Sequence, residues 1–216
     1  MTEIVFILDR SGSMRGLESD TIGGFNSMIE RQQEETDGNA LVSTILFNHE
    51  SFVLLDRIPL AEVQPLTEKD YQVGGMTALL DAVGDALKHI KTIHKYARAE
   101  DVPQKTLFVI TTDGMENASV KFSYKEIKRL IERQKEKGWE FIFLGANIDA
   151  AEVAEHIGID ARRAVNYHSD KIGTRKAYGA MSNFMSAFAA PTFSNLFNDD
   201  SWREEIDKDF EERSKD

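Results

Sequence analysis

The chain has 216 residues, of which 41% are hydrophobic and 29% charged, which is typical of one globular domain with at most a short appendage. Its 26 Lys and Arg against 37 Asp and Glu give a formal net charge of −11, which opposes unspecific binding to nucleic acid or anionic lipid. The absence of cysteine excludes disulfides, iron–sulfur clusters, thiolate zinc sites and cysteine nucleophiles.

The first element is a run of mainly branched apolar residues at 4–8, which predicts a strand buried on both faces of a parallel sheet. The run is too short for a signal peptide and has no basic leader. No other stretch reaches the roughly 20 apolar residues that span a membrane. We therefore expect a cytoplasmic protein that binds neither membrane nor nucleic acid.

An amphipathic helix should follow, because Ile22, Phe25 and Ile29 lie at helical spacing and Gly38 is its expected end. Two strands come next, at 41–47 and 51–58. The three residues between them are too few for a crossover helix, so these strands should pair as an antiparallel hairpin.

Helices and strands alternate through the middle of the chain. A glycine turn at 74–77 precedes a long helix over 78–96, and a later helix begins at a capping box formed by Ser123 and Glu126. A short helix is expected over 149–156. The expected strands cover residues 106–111, 139–144 and 163–167. This order predicts an α/β fold, namely a doubly wound, mostly parallel sheet with one antiparallel edge strand and helices on both faces.

The pattern changes after residue 170. Between 178 and 197 we expect a last helix that docks on the sheet, with apolar residues on one face and an apolar cover beyond Pro191. The face consists of Met181, Phe184, Met185 and Phe188, and the cover of Phe193 and Phe197. An exposed segment that binds a partner or a membrane surface is the alternative, but the Lys/Arg cluster of a membrane segment is missing. We place the domain at 1–190 and a frayed or helical acidic tail at 191–216.

Oxygen-bearing side chains follow the predicted strands on three loops. In such sheets ligands bind beyond the carboxyl ends of the strands, so these loops should meet. Carboxylate and hydroxyl oxygens suit a hard cation, for which we expect Mg²⁺, with Mn²⁺ or Ca²⁺ as alternatives. The predicted metal ligands are Asp9, Ser11, Ser13, Thr77 and Asp113.

The same residues resemble the metal-ion-dependent adhesion site of von Willebrand factor type A domains. Asp9, Ser11 and Ser13 match its Asp-x-Ser-x-Ser motif, Thr77 its isolated threonine, and Asp113 its Asp-Gly motif. The resemblance covers roughly residues 3–190 and is to the stand-alone intracellular type of bacteria or phages. It implies a Rossmann-like fold and a cation with one position open for an Asp or Glu of a protein partner.

The resemblance implies a binding module rather than an enzyme. Intracellular bacterial members of this family often serve AAA+ ATPases of the MoxR type, so such an ATPase is the expected partner. The alternative is a Mg²⁺-dependent aspartyl phosphotransferase or phosphatase that uses Asp9 as nucleophile. Its signature requires Asp at the position of Ser11, which disfavours it.

Two further questions stay open in the sequence. Asp81, one helical turn beyond Thr77, either orients a ligand or only lies on its helix. The tail offers carboxylates that could occupy the open metal position of its own chain or of a second copy, because an extended tail spans roughly 60 Å. These carboxylates belong to Glu204, Glu205, Asp207, Asp209, Glu211 and Glu212.

Overall fold

A computed structural model describes residues 1–35, 39–190, 193 and 200–215. Over these residues a sheet is formed by β1 (Thr2–Asp9), β2 (Ala40–Phe47), β3 (Ser51–Pro59), β4 (Lys105–Thr112), β5 (Trp139–Ala146) and β6 (Ala164–Tyr167). The strand order is β3-β2-β1-β4-β5-β6. Each neighbouring pair is parallel except β2 with β3, which is antiparallel. The predicted fold class is therefore confirmed.

Helices cover both faces of this sheet. They are α1 (Glu18–Glu35), α2 (Leu79–Tyr96), α3 (Tyr124–Lys135), α4 (Ala150–His156), α5 (Lys171–Ala189) and α6 (Glu204–Arg213). Successive side chains of a strand point to opposite faces, so β1 contributes to two cores. Phe6 and Leu8 pack with residues of α1, α5 and α6, whereas Val5 and Ile7 pack with residues of α2, α3 and α4. The molecule thus has three layers with the sheet in the middle.

Most predicted boundaries agree with the structure to within two residues. The capping box of α3 is formed, since the N–H of Ser123 donates to the Glu126 carboxylate at 2.9 Å and the Ser123 side chain accepts from the N–H of Glu126. The predicted β5 ended at Leu144, but the strand continues to Ala146. Gly38, the expected end of α1, lies outside the described residues.

The predicted start of the last helix is wrong. The helix α5 begins at Lys171, seven residues before the predicted start, and ends at Ala189. Its first turns contain Gly173 and the exposed Ile172 and so lack the apolar spacing used for the prediction. Asp170 caps it by accepting a hydrogen bond from the N–H of Gly173 at 2.9 Å.

The predicted docking face of α5 is confirmed. Its side chains are buried in the core cluster of β1, α1 and α6, and Phe193 is buried there too. The face comprises Met181, Phe184, Met185 and Phe188. Pro191 and Phe197, which belonged to the predicted cover, lie outside the described residues.

The described part of the acidic tail is folded onto the domain. Trp202 and Ile206 are buried in the same core cluster, and the Trp202 ring lies edge-on to Phe184 with centroids 5.2 Å apart. The reach expected of an extended tail therefore does not apply to residues 201–213. The boundary at residue 190 stays a prediction. No helix among the described residues is long and apolar enough to cross a membrane.

Candidate metal centre

Three loops meet at the carboxyl edge of the sheet and are tied together through their backbones. The N–H of Gly12 donates to the carbonyl oxygen of Gly75 at 3.0 Å, and the N–H of Gly74 donates to that of Arg10 at 2.9 Å. The loop after β4 joins them, because the N–H of Asn117 donates to the Thr77 carbonyl at 3.0 Å. The backbone thus holds the predicted ligands in a fixed relation.

The oxygen-bearing side chains of these loops converge. The Ser13 hydroxyl donates to Oδ1 of Asp113 at 2.5 Å and lies 3.0 Å from the Ser11 hydroxyl. The N–H of Ser11 donates to Oδ1 of Asp9 at 2.7 Å. Thr77 belongs to the same group, because a Cβ at Gly114 would lie 3.2 Å from Ser13 Oγ and 3.6 Å from Thr77 Oγ1. All the predicted ligands are therefore brought together.

Gly114 is the residue that allows this close approach. A side chain there would press on the Ser13 hydroxyl at 3.2 Å, which is closer than most Cβ contacts. The glycine after Asp113 in the Thr-Asp-Gly motif thus has a steric reason in this fold.

The two carboxylates are buried in a setting that disfavours their ionised form. Asp9 and Asp113 are each 1% exposed, and Oδ2 of Asp113 has no hydrogen-bond partner in the described part of the chain. Burial raises the pKa of Asp9, although the hydrogen bonds from Thr112 and Ser11 act to lower it. Burial raises the pKa of Asp113 as well, and the nearby Asp9 adds to this rise. A cation at this place would compensate both charges.

The chemistry of the donors fits a hard divalent cation. Two carboxylates and three hydroxyls offer only oxygen, which Mg²⁺ and Mn²⁺ accept and softer metals do not require. Among the described residues no group of three or more His, Cys, Asp or Glu side chains is placed to hold a metal ion. The arrangement is therefore unlike a His-rich zinc site.

Three supporting contacts were not anticipated from the sequence. The Thr112 hydroxyl donates to Oδ2 of Asp9 at 2.6 Å, and the buried Tyr71 hydroxyl donates to the Asp9 carbonyl oxygen. Oδ1 of Asn117 accepts from the N–H of Thr77 at 2.9 Å. Thr112 stands directly before Asp113 on β4 and could have been found from that position. Tyr71 lies 62 residues from Asp9 and carries no sequence signal for this contact.

Asp81 holds the loop after β4. Its carboxylate accepts from the N–H groups of Val120 at 3.0 Å, Lys121 at 2.9 Å and Phe122 at 3.1 Å. Glu116 closes the same loop onto α2 by accepting from the N–H of Leu80 at 2.9 Å. Asp81 therefore anchors the loop that follows Asp113. The sequence alone suggested only that Asp81 orients a ligand or simply lies on its helix.

Residues 3–180 match the von Willebrand factor type A domain family. No curated protein matches the chain in sequence. Similar solved structures include the pilus adhesin SpaC from Lactobacillus rhamnosus GG in its open conformation, with a TM-score of 0.62 at 12% identity over 86% of this chain. Proximal thread matrix protein 1 from the mussel byssus, with a zinc-occupied MIDAS motif, gives 0.58 at 14% identity over 86%. The SpRpn10 VWA domain gives 0.57 at 12% identity over 83%.

These likenesses establish the fold. The chain spans 94% of the SpRpn10 VWA domain, but only 30% of the pilus adhesin and 46% of the byssus protein.

Proposed function

Since the chain belongs to the von Willebrand factor type A family, we propose that it is a protein-binding module that works through a divalent cation. Asp9, Ser11, Ser13, Thr77 and Asp113 hold the cation. An Asp or Glu of a protein partner completes its coordination.

The observation that carries this proposal is the buried Oδ2 of Asp113. Oδ2 has no hydrogen-bond partner within the described residues, while its neighbour Oδ1 accepts from Ser13, and the nearby Ser169 hydroxyl only partly offsets the rise that burial causes in the pKa of Asp113. An unpaired buried carboxylate oxygen costs folding free energy, and a cation removes that cost. The site is thus suited to a positive charge that the described residues do not supply.

The donor set also explains why a partner's carboxylate is attracted. A bound divalent cation supplies a concentrated positive charge at the sheet edge. Ser11, Ser13 and Thr77 contribute neutral hydroxyls, so two carboxylates leave the cation less neutralised than four or five would. No general base or nucleophile is needed for this role, and we propose binding rather than catalysis.

The more specific parts of the proposal concern the identity of the ion, the partner and the cellular location. We propose Mg²⁺ as the cation, with Mn²⁺ or Ca²⁺ as substitutes, and a zinc-occupied MIDAS in the byssus protein supports a divalent ion in this fold. We also propose a cytoplasmic location and a MoxR-type AAA+ ATPase as the partner, as the resemblance to intracellular bacterial members implies.

Calorimetric titration of Mg²⁺ and Mn²⁺ into metal-free protein tests the metal site. We expect about one ion per chain for the wild type and loss of binding in both Asp9→Ala and Asp113→Ala. Asp101→Ala is the matched control, because Asp101 pairs with Arg98 before β4, at the other edge of the sheet. Retained binding in both site variants would contradict the assignment. Turnover of a phosphate ester that Asp9→Asn abolishes would instead favour the phosphotransferase.

A further inference from the structure

Two exposed apolar side chains lie next to predicted metal ligands in the chain, and a third lies further along the loop after β4. Met76 is 57% exposed, Met115 71% and Val120 90%. Met76 directly precedes Thr77, and Met115 follows Asp113 by two residues. We call Met76, Met115 and Val120 the rim. Because Met76 and Met115 lie within two residues of predicted ligands, a partner whose carboxylate reaches the cation would also meet their apolar surface, which points to contact with that partner.

The backbone beneath the rim is held by hydrogen bonds. Thr77 and Asn117 bond each other twice, through the N–H of Asn117 at 3.0 Å and the N–H of Thr77 at 2.9 Å. The N–H of Val120 donates to Asp81 at 3.0 Å. The rim side chains therefore stand on a fixed frame, which lowers the entropy lost when a partner packs on them.

The charged side chains of the loop after β4 are engaged in other bonds. Glu116 accepts hydrogen bonds from backbone N–H groups, and Lys121 pairs with Asp85 of α2 at 2.7 Å. Because these charges are already paired, a partner gains little by placing its own charged side chains against this loop. The apolar side chains are thus the main feature that this loop presents next to the metal ligands.

The net charge of the whole chain further limits which partner segments can bind. A net charge of −11 repels a segment rich in Asp and Glu, so an acidic run is a poor ligand despite its carboxylates. One carboxylate is enough to fill one coordination position. The remaining affinity then has to come from apolar contact, which the rim offers.

We propose that the rim selects a protein segment in which a single Asp or Glu is flanked by apolar side chains. This inference rests on the proposed function, because the carboxylate of the segment binds the cation. The flexible thioethers of Met76 and Met115 fit apolar surfaces of different shape. Selection for apolar flanks thus does not require one exact flanking residue.

Two synthetic peptides test the inference on the full chain in Mg²⁺. Both carry one central Glu, flanked by Leu and Ile in one peptide and by Ser and Gln in the other. Fluorescence anisotropy should give about tenfold tighter binding of the apolar-flanked peptide. Met76→Ser and Met115→Ser should each remove most of this preference. Tyr96→Ser is the matched control, because Tyr96 is 75% exposed at the last residue of α2 and distant in sequence from the ligands.

The outcomes separate the inference from the proposed function. Equal Mg²⁺-dependent binding of both peptides would show that the rim does not select apolar flanks, and so would an unchanged preference in the rim variants. Either result would leave the proposed metal-dependent binding unaffected. If the wild type binds Mg²⁺ but neither peptide, the proposed function itself fails. Calorimetry of Mg²⁺ binding in Met76→Ser and Met115→Ser should match the wild type, because neither side chain is a predicted ligand.

Discussion

At the residue scale, the surroundings of Asp113 differ from those of an ordinary aspartate, because its carboxylate is buried and Oδ2 has no hydrogen-bond partner among the described residues. Burial raises its pKa above the usual Asp value. The folded chain then binds this proton more tightly than the unfolded chain does. The group therefore favours folding below the ordinary pKa, and this contribution is lost as the pH rises through the raised pKa. In the metal-free chain, ionisation of Asp113 therefore costs stability at a pH above the raised pKa.

Asp113→Asn removes that charge, so its effect on stability should depend on both pH and metal. In EDTA at pH 7 we expect a higher Tm than for the wild type, with the difference shrinking as the pH falls toward 4. With Mg²⁺ at 100 times its Kd the wild type gains about 2.7 kcal/mol and the variant does not, so the order reverses. Thermal unfolding followed by circular dichroism measures both. A wild type that is the more stable protein in EDTA at pH 7 would contradict this account.

Thr112 offers a matched comparison with its neighbour. Its hydroxyl donates to Oδ2 of Asp9 at 2.6 Å, whereas the hydroxyl of Thr111, which is also buried, has no hydrogen-bond partner among the described residues. Outer contacts of this kind orient a metal ligand, and their loss commonly weakens metal binding 10- to 100-fold. We expect Thr112→Val to weaken Mg²⁺ binding about tenfold in calorimetry, while Thr111→Val leaves it unchanged. Equal effects of the two substitutions would refute the role of Thr112.

At the element scale, the start of α5 depends on a cap and a link to α6. Asp170 accepts from the N–H of Gly173 and pairs with Arg213 of α6. Although its burial acts in the opposite direction, the bonds from Arg213 and Gly173 lower the pKa of Asp170. A lowered pKa in the folded chain means that the stabilisation is present above the ordinary Asp value. It is lost as the pH falls through the lowered one.

Asp170→Ala should therefore destabilise the chain at neutral pH by more than the loss of a helix cap alone. An N-cap Asp contributes about 1 kcal/mol, and Asp149, which caps α4 by accepting from the N–H of Glu152 at 3.0 Å, is the control. We expect about 1 kcal/mol for Asp149→Ala and about 2 kcal/mol for Asp170→Ala in urea unfolding. The excess for Asp170→Ala should shrink as the pH falls below the ordinary Asp pKa and through the lowered one. An equal loss in both variants would mean that the Arg213 pair contributes nothing.

The elements also show what local patterns can and cannot predict. Strands such as β1 and β4 were predictable because a strand covered on both faces is an unbroken apolar run. The start of α5 was not, because the buried residues of its first two turns are Gly173, Thr174 and Ala177, which are too small or too polar to form an apolar pattern. There Asp170 was the available signal, and a cap residue without apolar spacing behind it is a weak one.

At the scale of the whole molecule, the topology made the candidate site predictable. Parallel strands end at one edge, so the loops carrying Asp9 and Asp113 had to meet once the strand order was known. The carboxylate and hydroxyl side chains on these loops then identified the candidate ligands. The supporting contacts could not be predicted, because Tyr71 reaches Asp9 from a loop 62 residues away and Asn117 bonds Thr77 of another loop, and only tertiary packing decides such pairings.

At the same scale, the docked tail decides which experiment can test its carboxylates. Trp202 and Ile206 are buried against α5, so deleting the tail would remove part of the core as well as its carboxylates. Trp202→Ala alone should cost about 3–5 kcal/mol in urea unfolding. A loss below about 1 kcal/mol would show that the docked tail adds little to the fold. A truncated chain therefore cannot report on the tail carboxylates.

Replacing carboxylates by amides tests those carboxylates without touching the core. Glu204, Glu205, Glu211 and Glu212 are exposed, and their joint change to Gln keeps Trp202 and Ile206 in place. Because α6 is docked on the domain, we expect this variant to keep the Tm within about 2 °C of the wild type. It should also keep the same mass in light scattering with and without Mg²⁺. A Mg²⁺-dependent oligomer of the wild type that the Gln variant loses would instead show that tail carboxylates reach the metal centre of a second copy.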